Sequence, residues 1–252
     1  ATMTSIFILS RAVAPEIRVT GSWPDPVTIS SGWLRARARP WNEAVTEPMV
    51  RIDRGGSGFL AQITRHLVEF GAGEVYSPAL FPGSTRVWVD NDYEECAHLD
   101  VFERSLAGKP GPPADHPINR VEPEWESIVA IDRSAFEGFW GMSAAGLEEA
   151  YKANKTSQVL TVDVDGRAAG YAIVGVHWGV AYLHRIAVRS DLEGHGLGRS
   201  LLAASLNWGS AHGGRVMVLN VRPDNPRARR LYEQGGFADT GTRLSVLRHR
   251  AS

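Results

Sequence analysis

Residues 107–117 read AGKPGPPADHP and hold four prolines and two glycines, with no aliphatic side chain larger than alanine. Proline lacks the backbone N–H that helix interiors and central strands both use, so this run cannot lie inside either element. It reads as a linker between a first domain, residues 1–106, and a second, residues 118–252. At ~100–200 residues per domain, each half can carry a small core. Apolar residues make up 43% of the chain, so a packed core rather than disorder is expected.

Composition excludes several classes. The 27 basic and 28 acidic side chains leave a formal charge of −1, which argues against a chain built to coat nucleic acid or an anionic membrane. One cysteine, Cys96, rules out an intramolecular disulfide and a Cys-rich zinc site. The eight histidines show no H-x-x-x-H pairing, so no metal site is expected. No apolar run approaches the ~18–20 residues that span a bilayer, and the N-terminus lacks a basic-then-apolar signal pattern. A soluble, cytoplasmic protein is the expectation. Ala1 and Thr2 precede Met3 and read as an expression remnant.

The second half has clear local signals. Helices are predicted over residues 123–135 and 143–154, the latter with Ser143 as N-cap. Residues 158–164 and 168–176 read as strands joined by the tight turn Asp165-Gly166, and residues 180–188 as a third strand. Glycines 194, 196 and 198 then open a helix in which Leu197, Leu201, Ala204 and Trp208 recur on one face. Gly213-Gly214 ends it. A buried strand over residues 216–221, a helix over 224–234 ended by Gly235-Gly236, and a final pair of strands complete the order ααβββαβαββ. This predicts a mixed α/β sheet with helices on its faces.

The first half repeats part of this order. Strands are predicted over residues 27–39, 48–52 and 74–80, with a helix bearing Phe59, Ile63, Leu67 and Phe70 on one face. Ser84, Val87, Trp88 and Tyr93 stand 144 positions before Ala228, Leu231, Tyr232 and Phe237. We read this as a degraded internal repeat.

The chemistry concentrates after the third strand, where the chain reads RSDLEGHGLGRS. Glycines let backbone N–H groups turn toward one point and let an anion approach without Cβ contact. The helix that follows adds free N–H groups and a positive dipole end. The expected ligand is a phosphate or pyrophosphate. The spacing G-x-G-x-G differs from the dinucleotide fingerprint, because Arg199 occupies its third glycine position, and no P-loop lysine is present.

Downstream, Asn225-x-x-Ala228-x-x-Leu231-Tyr232 leads to Gly236-Phe237. Together the glycine loop and this segment resemble the GCN5-related N-acetyltransferases, the GNAT superfamily. The resemblance covers about half the chain, with the strand LHRIAV, the aromatics Phe136, Phe139 and Trp140, and VRPDN being most similar to the ribosomal-protein N-terminal alanine acetyltransferases. The tandem layout resembles mycothiol synthase. It implies a complete C-terminal copy and a degenerate N-terminal copy of the fold, with acetyl-CoA (coenzyme A) as cofactor and a primary amine as acceptor, a peptide N-terminus or a small amine. By that resemblance Ile186, Ala187 and Val188 would pair with the pantetheine. Gly194, His195, Gly196, Leu197, Gly198 and Arg199 would hold the pyrophosphate, and Asn225 would contact the cofactor chain. Phe139 and Trp140 would form a substrate loop, and Tyr232 would protonate the departing thiolate.

Two departures matter. Glu193 stands where the family has Arg or Gln, and Asn220 where the alanine-acetylating branch keeps a carboxylate base. His184 is the substitute base, with water as the alternative. An α-amine of pKa ~7.8 is ~30% neutral at pH 7.4, a lysine only ~0.1%, so a site without a strong base favours an α-amine. The N-terminal copy is not expected to catalyse, since Trp88 stands in the place of Tyr232 and its glycine loop is shorter. It is expected to shape the substrate cleft or brace the sheet. Two alternatives stay open: mycothiol-synthase-like acetylation of a small cysteinyl amine, and a non-catalytic acyl-CoA-binding module.

Overall fold

Alternation builds the first half. In a computed structural model describing residues 16–108 and 111–251, β1 (Arg18–Thr20), β2 (Val27–Ser31), β3 (Leu34–Pro40) and β4 (Pro48–Arg54) form an antiparallel meander. Ala1, Thr2, Met3 and the linker residues Lys109 and Pro110 lie outside the described residues. Val27 and Ile29 of β2 and Ala36 and Ala38 of β3 point into a core, while Arg35 and Arg37 point away. α1 (Ser57–Glu69) covers that core with Phe59, Leu60 and Ile63. Phe70, expected on the same face, is the residue that caps the helix and stays 79% exposed, because the chain turns away at Gly71. β5 (Glu74–Tyr76) is shorter than the predicted strand, since Pro78 has no N–H to continue a ladder. α2 (Arg86–Val89) follows, then β6 (Glu94–Ser105), a long strand the sequence reading did not resolve.

The second half runs β7 (Ile118–Val121), α3 (Trp125–Ala135), α4 (Ala144–Lys152), β8 (Thr156–Val164), β9 (Arg167–His177), β10 (Val180–Val188), α5 (Leu197–Ala211), β11 (Val216–Val221), α6 (Pro226–Gln234) and β12 (Ala238–Arg250). Ser143 caps α4 as predicted, its Oγ accepting from Gly146 N at 3.2 Å. The predicted final pair of strands is one strand, β12, whose register with β6 shifts between Asp239 and Arg243, where Gly241 takes a positive φ.

Part of the expected repeat is visible in the topology, although α3 and α4 have no counterpart in the first half. β4 lies parallel to β5 as β10 lies parallel to β11, and in each case a helix makes the crossover. Trp88 on α2 packs edge-on against Tyr93, and Tyr232 on α6 packs edge-on against Phe237. The strand order is β1-β2-β3-β4-β5-β12-β6-β11-β10-β9-β8-β7. β12 therefore sits beside β5 of the first half, and β6 beside β11 of the second. Each half lends its last strand to the other, and the cores follow: Phe102 of β6 packs under α5, and Leu247 of β12 packs under α1. Burying a side chain of that size contributes ~1.5–3 kcal/mol, so the exchange ties the halves into one sheet.

The linker is a packed strap. A Cβ on Gly111 would stand 2.9 Å from the Ala203 carbonyl, so the backbone lies directly on α5. Further on, the Asp115 and His116 N–H groups both donate to Ser200 Oγ, at 3.1 and 3.2 Å.

Candidate functional site

The parallel strands β10 and β11 pair from Val180–Val216 only as far as Leu183–Leu219, although β10 continues to Val188. The cause lies on the other side of β10, where the register with β9 slips between Leu183 and Arg185, making His184 a bulged residue. A bulge bends its strand and raises local twist, so β10 swings away from β11. A cleft of about 990 Å³ opens there, lined by Ile186, Ala187 and Val188 on one side and Asn220 and Val221 on the other. β10 thus offers a strand edge to an extended ligand.

The glycine loop closes one end of the cleft. Gly194 and Gly196 have φ of 85° and 80°, a region a β-carbon disfavours, and Gly194 has open space around it. Gly196 is the N-cap of α5 and gives no side-chain cap, whereas Ser143 caps α4 and Asn225 caps α6. The first N–H groups of α5, at Leu197, Gly198 and Arg199, have no intrahelical acceptor. They meet the cleft at a positive helix end. The Leu197 side chain itself is buried in the core, so only its backbone is available to the cleft. The ring of His195 folds back on its own loop, Nδ1 facing the Leu192 and Glu193 carbonyls, and it is absent from the cleft wall. Arg199 lines the cleft and is paired with Asp115 of the strap at 2.6 Å. Glu193, the unexpected negative charge, is ion-paired with Arg227 of α6, which neutralises it.

Tyr232, His184 and Asn225 all line the same cleft. Tyr232 is 6% exposed, and burial pushes its hydroxyl up to about 12, the nearby Arg185 charge opposing. It is therefore a neutral donor across the physiological range. His184 Nε2 lies 2.6 Å from Asn154 Oδ1, and burial lowers the ring's pKa to about 4. An amide oxygen only accepts, so Nε2 carries the proton, and the ring is neutral and weakly basic. Asn225 commits Oδ1 to the α6 cap, accepting from Ala228 N at 3.0 Å. The carboxylates of the cleft wall are Glu149 and Glu193, and both are ion-paired.

The sequence reading missed the group that holds residues 138–142 against the cleft. Asp132, fully buried on α3, accepts from Arg185 Nε and Nη2 at 2.7 and 2.9 Å, from Tyr171 Oη at 2.6 Å and from Met142 N at 2.8 Å. Arg185 also donates to the Trp140 carbonyl at 2.8 Å and lies over the Phe136 ring. Burial beside this carboxylate drives the Tyr171 hydroxyl far upward. A signal was available: an arginine within the apolar strand VAYLHRIAV must find a partner when buried.

The first half completes the wall. Trp41 stacks on Phe139 at 4.4 Å, and Asn42, 2% exposed, donates Nδ2 to the carbonyls of Gly138, Phe139 and Gly141. Asn42 Oδ1 in turn accepts from Ala44 N and Val45 N, fixing its own turn. The β3–β4 connection thus clamps Phe139 and Trp140 in place. By contrast, the first half's own loop between β4 and α1 is only residues 55–56, against residues 189–196 between β10 and α5.

A splayed parallel strand pair, a glycine loop at an uncapped helix start and a buried tyrosine meet in one cleft of a mixed α/β fold. Residues 125–237 match the acetyltransferase (GNAT) family, and the chain carries a GNAT domain there. Among solved structures, a tandem GNAT protein from the clavulanic acid biosynthesis pathway aligns with TM-score 0.60 at 16% identity, covering 95% of this chain and 85% of that one. A ribosomal protein bS18-alanine N-acetyltransferase of Escherichia coli is 33% identical over 98 residues, 38% of this chain and 66% of the relative. A mycothiol acetyltransferase of Clavibacter michiganensis is 36% identical over 90 residues, 36% of this chain but only 29% of the relative. The mixed α/β sheet expected from the sequence is the fold observed, and the expected arrangement in two copies is met in part. No helix among the described residues is long and apolar enough to cross a membrane.

Proposed function

We propose that the chain is an acetyl-CoA-dependent N-acetyltransferase acting on a primary amine, with catalysis in residues 118–252 and a degenerate, cofactor-free copy in residues 1–106. The observation that carries this reading is the splay of β10 from β11, opening onto the uncapped start of α5. The cleft fits the cofactor: a free strand edge for the amide-bearing arm, and helix N–H groups with Arg199 for the pyrophosphate. Bound acetyl-CoA supplies the thioester carbonyl that the amine attacks. The β10 backbone would orient that carbonyl, and Tyr232, a neutral donor in the cleft wall, would hydrogen-bond to the leaving sulfur. With Glu149 and Glu193 ion-paired and His184 weakly basic, the amine must arrive neutral and lose its second proton to water. That chemistry suits an α-amine of pKa ~7.8 better than a lysine of pKa ~10.4. The similarity to alanine N-acetyltransferases supports a peptide N-terminus. The two-copy fold and the similarity to mycothiol acetyltransferases support a small amine.

Isothermal titration tests the cofactor site. One acetyl-CoA is expected per chain, and Gly196→Glu should abolish binding by adding bulk and negative charge where phosphate must approach. Unchanged affinity in that variant removes the loop from the site, and two equivalent sites per chain remove the degenerate-copy reading.

A further inference from the structure

We propose that the acceptor is an amine that also carries a carboxylate or phosphate, held by Arg51 at the end of the cleft made by the first half. This rests on the acetyl-transfer reading and adds the chemistry of the second substrate.

The alternation of β3 places Arg37 and Arg39 on one face, and the register with β4 sets Arg51 directly across from Arg37. Arg37 is neutralised by Asp53, which accepts from Nε at 3.0 Å and Nη2 at 2.8 Å, so of this facing pair Arg51 is the one without a carboxylate of its own. The cluster faces α4. Glu149 receives both Arg39, at 3.1 Å, and Arg51, at 3.3 Å. One carboxylate therefore answers two guanidinium groups. A hollow of about 380 Å³ continues from the main cleft here, and its charged lining is Arg37, Arg39, Arg51 and Lys152 against Glu148 and Glu149. Asp53 answers Arg37 and Glu148 answers Lys152, which leaves Arg39 and Arg51 against Glu149, a positive surplus, and these three residues line both spaces.

The two arginines differ in what they have left to give. Arg39 is spent: Nε and Nη2 serve Glu149, and Nη1 donates to the Pro40 and Trp41 carbonyls. Arg51 comes closest to Glu149 through Nε, and its side chain is 42% exposed. Its two terminal nitrogens form a fork suited to a planar carboxylate or a phosphate. Trp41 and Met49 line the cleft beside it, giving an apolar passage between the anion site and Tyr232. An acceptor of matching shape would present its amine to the thioester while its anionic end is anchored by the other half of the molecule.

The test uses the full chain saturated with CoA, so that the glycine loop is already filled. Glutarate and inorganic phosphate are titrated separately, with tryptophan fluorescence as the readout, since Trp41 stands in the wall. Saturable binding of at least one anion is expected, and the arm that binds identifies the anionic group. Arg51→Gln should weaken it at least tenfold, and Glu149→Gln should tighten it by removing the competing carboxylate. A purely structural ion pair predicts no tightening. Retained CoA binding by both variants verifies their fold. The proposal is overturned if neither anion binds saturably, or if Arg51→Gln leaves the affinity unchanged. Failure of CoA itself to bind would instead overturn the acetyl-transfer reading.

Discussion

Replacing Tyr232 with phenylalanine keeps the ring in its buried place and removes only the hydroxyl. The structure sets the size of the effect. A phenol whose pKa is about 12 would give its proton to a thiolate of pKa ~8.5 only uphill, by roughly 5 kcal/mol. Its work is therefore to donate a hydrogen bond to the sulfur as charge builds there, with solvent completing the protonation. Losing a hydrogen bond to a charged group costs ~1.5–3 kcal/mol, or ~10–200-fold in kcat at ~1.4 kcal/mol per decade. A full general acid would cost ~10²–10⁴. Because the interaction belongs to the transition state, the acetyl-CoA Kd should change little. The pH profile carries a second reading. The rate should rise with pH as the acceptor amine loses its proton and then stay level to about pH 11, because Tyr232 does not ionise below that. The Tyr232→Phe variant should lower that plateau without moving the rising limb. The assay is thiol release from acetyl-CoA with a confirmed acceptor between pH 6 and 10.5. Near-normal kcat in the variant, or an alkaline fall near pH 10 that the variant abolishes, would refute the argument.

Two further perturbations follow from buried groups. Asp132→Ala should destabilise the protein by ~3–5 kcal/mol, because Arg185 and Tyr171 lose their shared acceptor while staying buried. Chemical denaturation should register it, together with a raised acceptor KM as residues 138–142 loosen; a loss below ~1 kcal/mol would contradict the network. His184 makes stability fall with acid. Its folded pKa of about 4 lies below the ordinary 6.5, so the unfolded chain binds the proton first, and up to about 3 kcal/mol present above pH 6.5 is lost toward pH 4. His184→Gln should flatten that part of a stability–pH curve, and an unchanged curve would place the effect elsewhere.

Local chemistry made much of this legible in the chain. Apolar alternation and glycine punctuation placed β8 to β11 but not β7, and Ser143 marked the start of α4 through a bond spanning three residues. The glycine loop, Tyr232 and the segment around Asn225 lie within one stretch whose meaning depends on spacing alone. The 144-residue echo of Trp88 and Tyr93 in Tyr232 and Phe237 corresponds to matching packing on α2 and α6. What sequence could not supply were the relations between distant residues. The insertion of β12 between β5 and β6 depends on pairing across more than half the chain, and backbone hydrogen bonds carry no residue code to announce it. The partner of Arg185 sits 53 positions away on α3, and the clamp from Asn42 to Gly138 spans 96. The pKa of Tyr232 is a property of the cavity rather than of tyrosine, since desolvation exists only once the core has closed around it. Periodicity and turn chemistry are written residue by residue, whereas burial, charge pairing and the strand exchange arise when the halves meet.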